Sequence, residues 1–232
     1  MLDENLLILL ATLPFVAALA MATLSARAHA AAAWVCGVFV LAGIAVLAAL
    51  QGRIAEGEVL RAGWDWVPSL GISVSLRMDA LVWLMVALVY GIGLLVLIYA
   101  RYYLTKTDPV PRFYAFLMAF AGAMVGMLMS GNILVLVVFW ELTSILSFLL
   151  VGYWHQSQNA RDGARTALIV TGAGGLCLLL AMLMIGRIAG SFDLDTVLAS
   201  GDLVRADPAY PVILVLFLLG CFTKSAQMPF HF

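Results

Sequence analysis

The sequence predicts an all-α integral membrane protein of about seven transmembrane helices, the seventh broken near Pro229. Three observations predict this. Hydrophobic residues fill 65% of the 232 positions and charged residues 11%, against about 45–50% and about 25% in a typical soluble domain. The mean hydropathy is +1.09. Seven apolar runs follow one another, at 5–24, 30–50, 79–100, 113–129, 133–154, 165–186 and 210–228. A span takes about 20 apolar residues, because a helix rises about 1.5 Å per residue through a hydrocarbon core about 30 Å thick. Lipid cannot satisfy open backbone groups, so such runs are helices.

This composition excludes a soluble globule, a disordered chain and a collagen. Twelve Lys and Arg against thirteen Asp and Glu leave a formal charge of −1, so there is no electrostatic footprint for nucleic acid. The first run has a rival reading as a cleaved signal peptide, with Ala28-His29-Ala30 as the cleavage site. Asp3 and Glu4 are acidic and no basic residue precedes the run, which argues for a retained helix.

The connections alternate in character. Short loops carry Arg27, then Arg101, Lys106 and Arg112, then Arg161 and Arg165, six basic residues in all. The opposite side carries Arg53, Arg61, Arg77, Arg187 and Arg205, five in two longer loops, with ten of the thirteen acids. The positive-inside rule counts Lys and Arg. It places the short basic loops in the cytoplasm and the N-terminus outside, in a multi-pass protein of the cell (inner) membrane. Within 51–78, Trp64-Asp65-Trp66-Val67 and Ile72-Ser73-Val74-Ser75-Leu76 flank Pro68 and Gly71. That alternation predicts an outer β-hairpin, with Trp64 and Trp66 as interfacial anchors. Asp79 is the expected N-cap of the third run, 187–209 is expected as a loop, and Asp207-Pro208 as the start signal of the seventh run.

Several patterns have plain readings. Cys36, Cys177 and Cys221 lie in apolar runs, form no CxxC pair and read as small buried hydrophobes. Gly172-Ala173-Gly174-Gly175 lacks the preceding strand of a phosphate loop; like Gly122 and Gly126, it reads as close helix packing. Methionines such as Met118, Met124, Met127 and Met129 read as adaptable packing. His29, His155 and His231 have no metal-ligand spacing, and His155 marks the inner end of the fifth helix. No cofactor or metal is expected, and no nucleophile–base pair suggests a conventional enzyme.

Two ionisable residues interrupt apolar helices: Glu141 and Lys224. Each costs about 2.5–3.5 kcal/mol at mid-membrane on insertion scales, so an intramembrane charge is a functional candidate by default. Glu141 lies about 12 Å into its run and Lys224 about 21 Å into its own. Glutamate is too short to reach either surface, whereas lysine can snorkel. A lysine balanced between desolvation and an acidic partner can release and rebind a proton, which is relay chemistry. The offset of about 9 Å leaves both direct contact and a water-mediated link open. Thr143, Ser144 and Ser147 either support Glu141 or a hydrated path, or bond back to their own helix carbonyls. Pro229 breaks the seventh helix, as transporters do beside ion sites. His231, just beyond, is a natural proton carrier.

Phe139-Trp-Glu-Leu-Thr-Ser144, followed by Ser147-Phe-Leu-Leu150 and Tyr153-Trp154, resembles the glutamate helix of the antiporter-like subunits shared by Mrp cation/proton antiporters and respiratory complex I. Phe222-Thr-Lys-Ser-Ala-Gln-Met-Pro-Phe-His231 resembles their lysine helix, in the form found in the large A subunit of the Mrp (Mnh or Pha) complex. The resemblance covers the whole chain in order. It implies proton movement coupled to Na⁺ or K⁺ exchange, with other antiporter subunits as partners. Glu141 would modulate Lys224, Lys224 would handle the proton, and His231 would belong to the path beyond. The family has three leading helices, here 1–112 with the hairpin at about 51–78, and then inverted repeats. Residues 113–232 would be the incomplete first repeat, and the chain would be an N-terminal part that does not transport alone. The rival expectations are a proton-pumping subunit of an NADH-quinone oxidoreductase or hydrogenase complex, and an inert membrane scaffold.

Overall fold

The structure, a computed structural model, describes residues 2–25, 28–67, 72–105 and 108–231. Arg27, Lys106, Pro68 and Gly71 lie outside the described residues, as do the side chains of His29, Asp65 and Trp66. The elements are α1 (Leu2–Thr23), α2 (His29–Ala55), β1 (Leu60–Val67), β2 (Ile72–Met78), α3 (Ala80–Tyr103), α4 (Val110–Met129), α5 (Ile133–Val151), α6 (Gln158–Ala189), α7 (Leu194–Ala199), α8 (Gly201–Ala206) and α9 (Tyr210–Lys224). Among them, α1 to α6 are long and apolar enough to cross a membrane, and α9 is a shorter apolar helix. The protein is an integral membrane protein. The expected hairpin is present as the two-stranded sheet β1-β2, and Trp64 on it is half-exposed.

The chain divides into two compact units. The first comprises residues up to Gly63 and Leu76–Met129. In it α1 packs on α4 and α2, and α3 packs on α2 and α4. Polar groups that lipid would leave unpaired find backbone carbonyls: Tyr90 Oη donates to Leu10 O (2.7 Å) and Trp83 Nε1 to Leu47 O (2.9 Å). The Tyr90 ring occupies the space a side chain would need at Gly43, and Phe15 lies over Gly122. Asp79 caps α3 as its sequence position suggests, accepting from Val82 N (2.9 Å). Burial opposes its charged form, but the Val82 N–H and Arg77 outweigh that and hold the carboxyl below its usual range.

The second unit comprises Trp64–Ser75 and Ser130–Phe232. Residues 113–129, most of α4, pack with the first unit. Within the second unit α6 packs on both α5 and α9. The start of α5 is pinned to the chain after α6: Ile133 N donates to Phe192 O (2.9 Å) and Leu194 N to Gly131 O (2.8 Å). Asn132, 1% exposed, caps α5 by accepting from Leu134 N (2.9 Å). Asn132→Ala removes that acceptor, a loss of about 1 kcal/mol. It is expected to lower the melting temperature of the solubilised protein by about 2–4 °C, measured by a thermal-shift assay; an unchanged midpoint would overturn the capping role.

Several boundaries differ from the apolar runs for identifiable reasons. α6 begins at Gln158, within the expected 155–165 loop, because a helix that clears the lipid continues in water when its turns are supported. Ser157 caps it at Ala160 N, and Gln158 donates to Asp162 (2.8 Å). It ends at Gly190, whose φ of 71° is a left-handed conformation that glycine accepts readily. The expected 187–209 loop holds α7 and α8, with Asp193 capping α7 at Thr196 N. α5 stops at Val151, so His155 lies in the following turn. Asp207 accepts from Ala209 N (2.8 Å), shaping the turn before α9 rather than capping the helix.

The seventh run holds the largest difference. α9 ends at Lys224, four residues short of the expected 228. Ala226 has φ 51°, which leaves the helical path, and a residue before proline is pushed out of the α region. Fifteen residues rise about 22 Å, less than the hydrocarbon thickness of about 30 Å. The helix break therefore falls at Lys224 itself, and Pro229 stands exposed beyond it.

Candidate functional site

The site lies within the second unit, where α5 carries Glu141, α9 ends in Lys224 and α6 packs against both. A terminal lysine suits a helix end, because its ammonium is a cation at the negative pole of the helix. Here the side chain turns to α5. Lys224 Nζ donates to Thr143 Oγ1 (2.6 Å), Ser144 Oγ (2.9 Å) and Trp140 O (3.4 Å). Those three acceptors match the three protons of an ammonium. The ammonium also lies 5.5 Å from the centroid of the Trp140 ring, within cation–π range.

The two hydroxyls bond back to their own helix, one of the parts the sequence left open, and the side chain they hold is Lys224 rather than Glu141. Thr143 Oγ1 donates to Trp140 O (2.7 Å) and Ser144 Oγ to the same carbonyl (3.4 Å), so each bonds back to its own helix. Their lone pairs remain for Lys224. The spacing makes this possible, since residues three and four positions on lie over the same carbonyl. Thr143 and Ser144 are both 2% exposed. Ser147, one turn further, is half-buried and does not hold Lys224.

Glu141 stands between Trp140 and Thr143 in sequence, yet it forms no ion pair with Lys224: the ammonium's partners are the hydroxyls and the carbonyl. Lys224 is nonetheless the charge that acts on the Glu141 carboxyl through space. Glu141 Oε1 is buried with no hydrogen-bond partner. The carboxyl rests on α6, where a Cβ at Gly175 would overlap Oε1; Gly174 likewise accommodates Thr223. The offset of about 9 Å counted from the sequence is spanned by lysine's four-carbon stem, which carries the ammonium back to the level of 140–144.

The structure thus gathers Glu141, Lys224, Thr143 and Ser144, and it leaves Ser147, Pro229 and His231 outside the cluster. His231 is exposed. Sequence reading missed Trp140 as a ligand of the ammonium, and Gly174 and Gly175 as the neighbours of Thr223 and Glu141. The signal for Trp140 was the i, i+3, i+4 relation to two hydroxyls. The glycines carried none beyond close packing. Among the described residues, no group of three or more His, Cys, Asp or Glu gathers as a metal site.

Comparison with known proteins agrees with this architecture. Residues 130–232 match the family model described as "NADH:quinone oxidoreductase/Mrp antiporter, TM", and residues 64–114 match "NADH-Ubiquinone oxidoreductase (complex I), chain 5 N-terminus". The chain is 51% identical, over 99% of its length and 23% of the relative's, to the A/B subunit of a probable K(+)/H(+) antiporter of Rhizobium meliloti. It is 40% identical, over 76% of its length and 22% of the relative's, to the A subunit of the Na(+)/H(+) antiporter of Alkalihalophilus pseudofirmus. All of it superposes on 24% of a chain in the Mrp complex from Dietzia sp., with a TM-score of 0.81 and 30% identity. An archaeal membrane-bound sulfane sulfur reductase shares the fold, with a TM-score of 0.77 at 18% identity over 96% of this chain and 34% of that one. The chain spans between a fifth and a quarter of the length of these curated relatives. It belongs to the family of membrane subunits common to NADH:quinone oxidoreductases and Mrp antiporters, and it corresponds to the N-terminal part of the large A subunit of the Mrp type.

Proposed function

We propose that this chain supplies the first proton-handling site of a multi-subunit monovalent cation/proton antiporter, a secondary transporter of the cell membrane that exchanges H⁺ for Na⁺ or K⁺. Its N-terminus lies outside, and its partners are the other subunits of that complex. Residues 113–232 contribute to the first antiporter-like repeat, with α5, α6 and α9 as its working part. The observation that carries the reading is the Lys224 ammonium held by two hydroxyls beside Glu141.

The chemistry follows from what a hydroxyl is. It accepts from an ammonium and, on rotating, donates to a neutral amine. Thr143 and Ser144 therefore accommodate both protonation states of Lys224, whereas the Trp140 carbonyl can only accept and offers nothing to the lone pair of the neutral amine. Glu141 supplies the alternating influence. Its buried, unpartnered oxygen is stabilised by gaining a proton or by an approaching ammonium. Movement of Lys224 between the hydroxyls and the carboxyl would bind and release a proton, and His231 would pass it on beyond the helix break. Thr143→Val combined with Ser144→Ala leaves only the carbonyl. It is expected to slow exchange by at least about tenfold, since losing even one hydrogen bond to a charged group costs about 1.5–3 kcal/mol. Retained wild-type exchange in reconstituted vesicles would sink this role.

A second reading, a proton-pumping subunit of a redox complex, draws on the family-model match and on the shared fold of the reductase. Everted vesicles holding the assembled complex and a pH-sensitive dye separate the two. Proton release on adding Na⁺ or K⁺ supports antiport. No cation response, with pumping driven by NADH or hydrogen oxidation, establishes the redox reading instead.

A further inference from the structure

We propose that Gly175 is the positioning residue for Glu141: the space left by its absent side chain is where the carboxyl rests, so the backbone of α6 sets where that carboxyl stands relative to Lys224. Its transport arm rests on the antiport reading; its spectroscopic arm rests on geometry alone.

Three observations carry it. A Cβ at position 175 would overlap Glu141 Oε1, lie 2.6 Å from Cδ and reach 3.2 Å from Oε2. The whole carboxyl group would have to move, not merely its tip. Next, Oε1 is buried and receives no hydrogen bond, so the shape of α6 holds this oxygen where a donor otherwise would. Finally, the preceding residue does the same for α9: a Cβ at Gly174 would overlap Thr223, the neighbour of Lys224, and a Cβ at Gly220 would come within 2.8 Å of Leu178 Cβ. One turn of α6 thus places both charged helices.

General helix packing does not account for the pattern. In the same helix a Cβ at Gly163 or Gly172 meets nothing within 4 Å, although glycine in a helix interior is disfavoured against alanine everywhere. Of the charged residues on the packed elements, Lys224 of α9 joins Glu141 in this cluster, while Arg161, Asp162, Arg165 and Arg187 stand toward the ends of α6. α6 offers Glu141 a glycine, and α5 adds the neutral hydroxyls of Thr143 and Ser144.

The test compares Gly175→Ala, Gly172→Ala, Glu141→Asp and the Gly175→Ala/Glu141→Asp pair in the assembled complex. Gly175→Ala and Gly172→Ala bring the same gain in helix propensity, so Gly172→Ala is the control. Infrared difference spectra across a pH titration follow the Glu141 carboxyl, with Glu141→Gln identifying its band. Gly175→Ala is expected to move the titration midpoint by about one pH unit, tenfold in proton affinity, and to slow cation-dependent proton exchange about tenfold. Gly172→Ala moves neither. Aspartate, one methylene shorter, clears the new methyl group, so the pair exchanges at least about threefold faster than Gly175→Ala alone. An unmoved midpoint in Gly175→Ala overturns the proposal. If Gly175→Ala does not assemble, restored assembly in the pair supports it, and failure of the pair while Glu141→Asp assembles overturns it. If the wild type shows no cation-driven exchange, the antiport reading falls alone and the midpoint still decides the role of Gly175.

Discussion

Lys224→Ala is expected to lower cation-dependent proton exchange about a hundredfold or more, the range that a positioned proton-transfer group contributes. The ammonium is the centre of the cluster, with every donor satisfied by Thr143, Ser144 and the Trp140 carbonyl. Alanine removes the proposed proton carrier and leaves the hydroxyls bonded to their own helix, so α5 is expected to stay folded. Lys224→Arg separates proton transfer from charge. Guanidinium keeps its proton at any relevant pH, and its planar fork does not match three acceptors arranged around a point. It is expected to be as inactive as alanine. The measurement is cation-induced dye recovery in everted vesicles, normalised to assembled complex on a native gel. Near wild-type exchange by Lys224→Arg would show that a fixed positive charge suffices, and would end the relay assignment.

The second large effect is expected from Glu141→Gln. Glutamine keeps the shape of the side chain and its fit over Gly175 while removing the negative charge. The coupling to Lys224 acts through space, and couplings of about 1–3 kcal/mol correspond to roughly 5- to 150-fold. Exchange is therefore expected to fall by at least about tenfold, less than for Lys224→Ala, because the proposed proton carrier and its hydroxyls remain. The same vesicle assay reads it. Equal losses in Glu141→Gln and Lys224→Ala would place both residues on the proton's own route. An unchanged rate in Glu141→Gln would reduce Glu141 to a packing residue.

Much of the site was legible because membrane insertion makes charge conspicuous. In helices this apolar, a lone glutamate and a lone lysine stand out at once, and the hydroxyls at 143 and 144 follow by helical spacing. Pro229 marked a break, but a break is decided by where the backbone leaves the helical path. That departure comes at Ser225 and Ala226, ahead of the proline. The rise count separated Glu141 from Lys224 by about 9 Å because it followed backbones and ignored the reach of a lysine stem. The extension of α6 past its apolar run and the helices α7 and α8 escaped notice because hydropathy records lipid contact, and these turns are held by caps.

By itself the sequence determined the membrane class, the run of helices, the hairpin, the cap at Asp79 and the two lone charges within apolar helices. All of these depend on local pattern or on the transfer cost of one side chain. Only the tertiary structure decided that Lys224 rests on hydroxyls rather than on Glu141, that a backbone carbonyl and an indole face complete its surroundings, and that Gly174 and Gly175 make room for Thr223 and Glu141. The physical reason is that these contacts join residues 34 to 84 positions apart, and a glycine's value there lies in what a neighbouring helix places in the space it leaves.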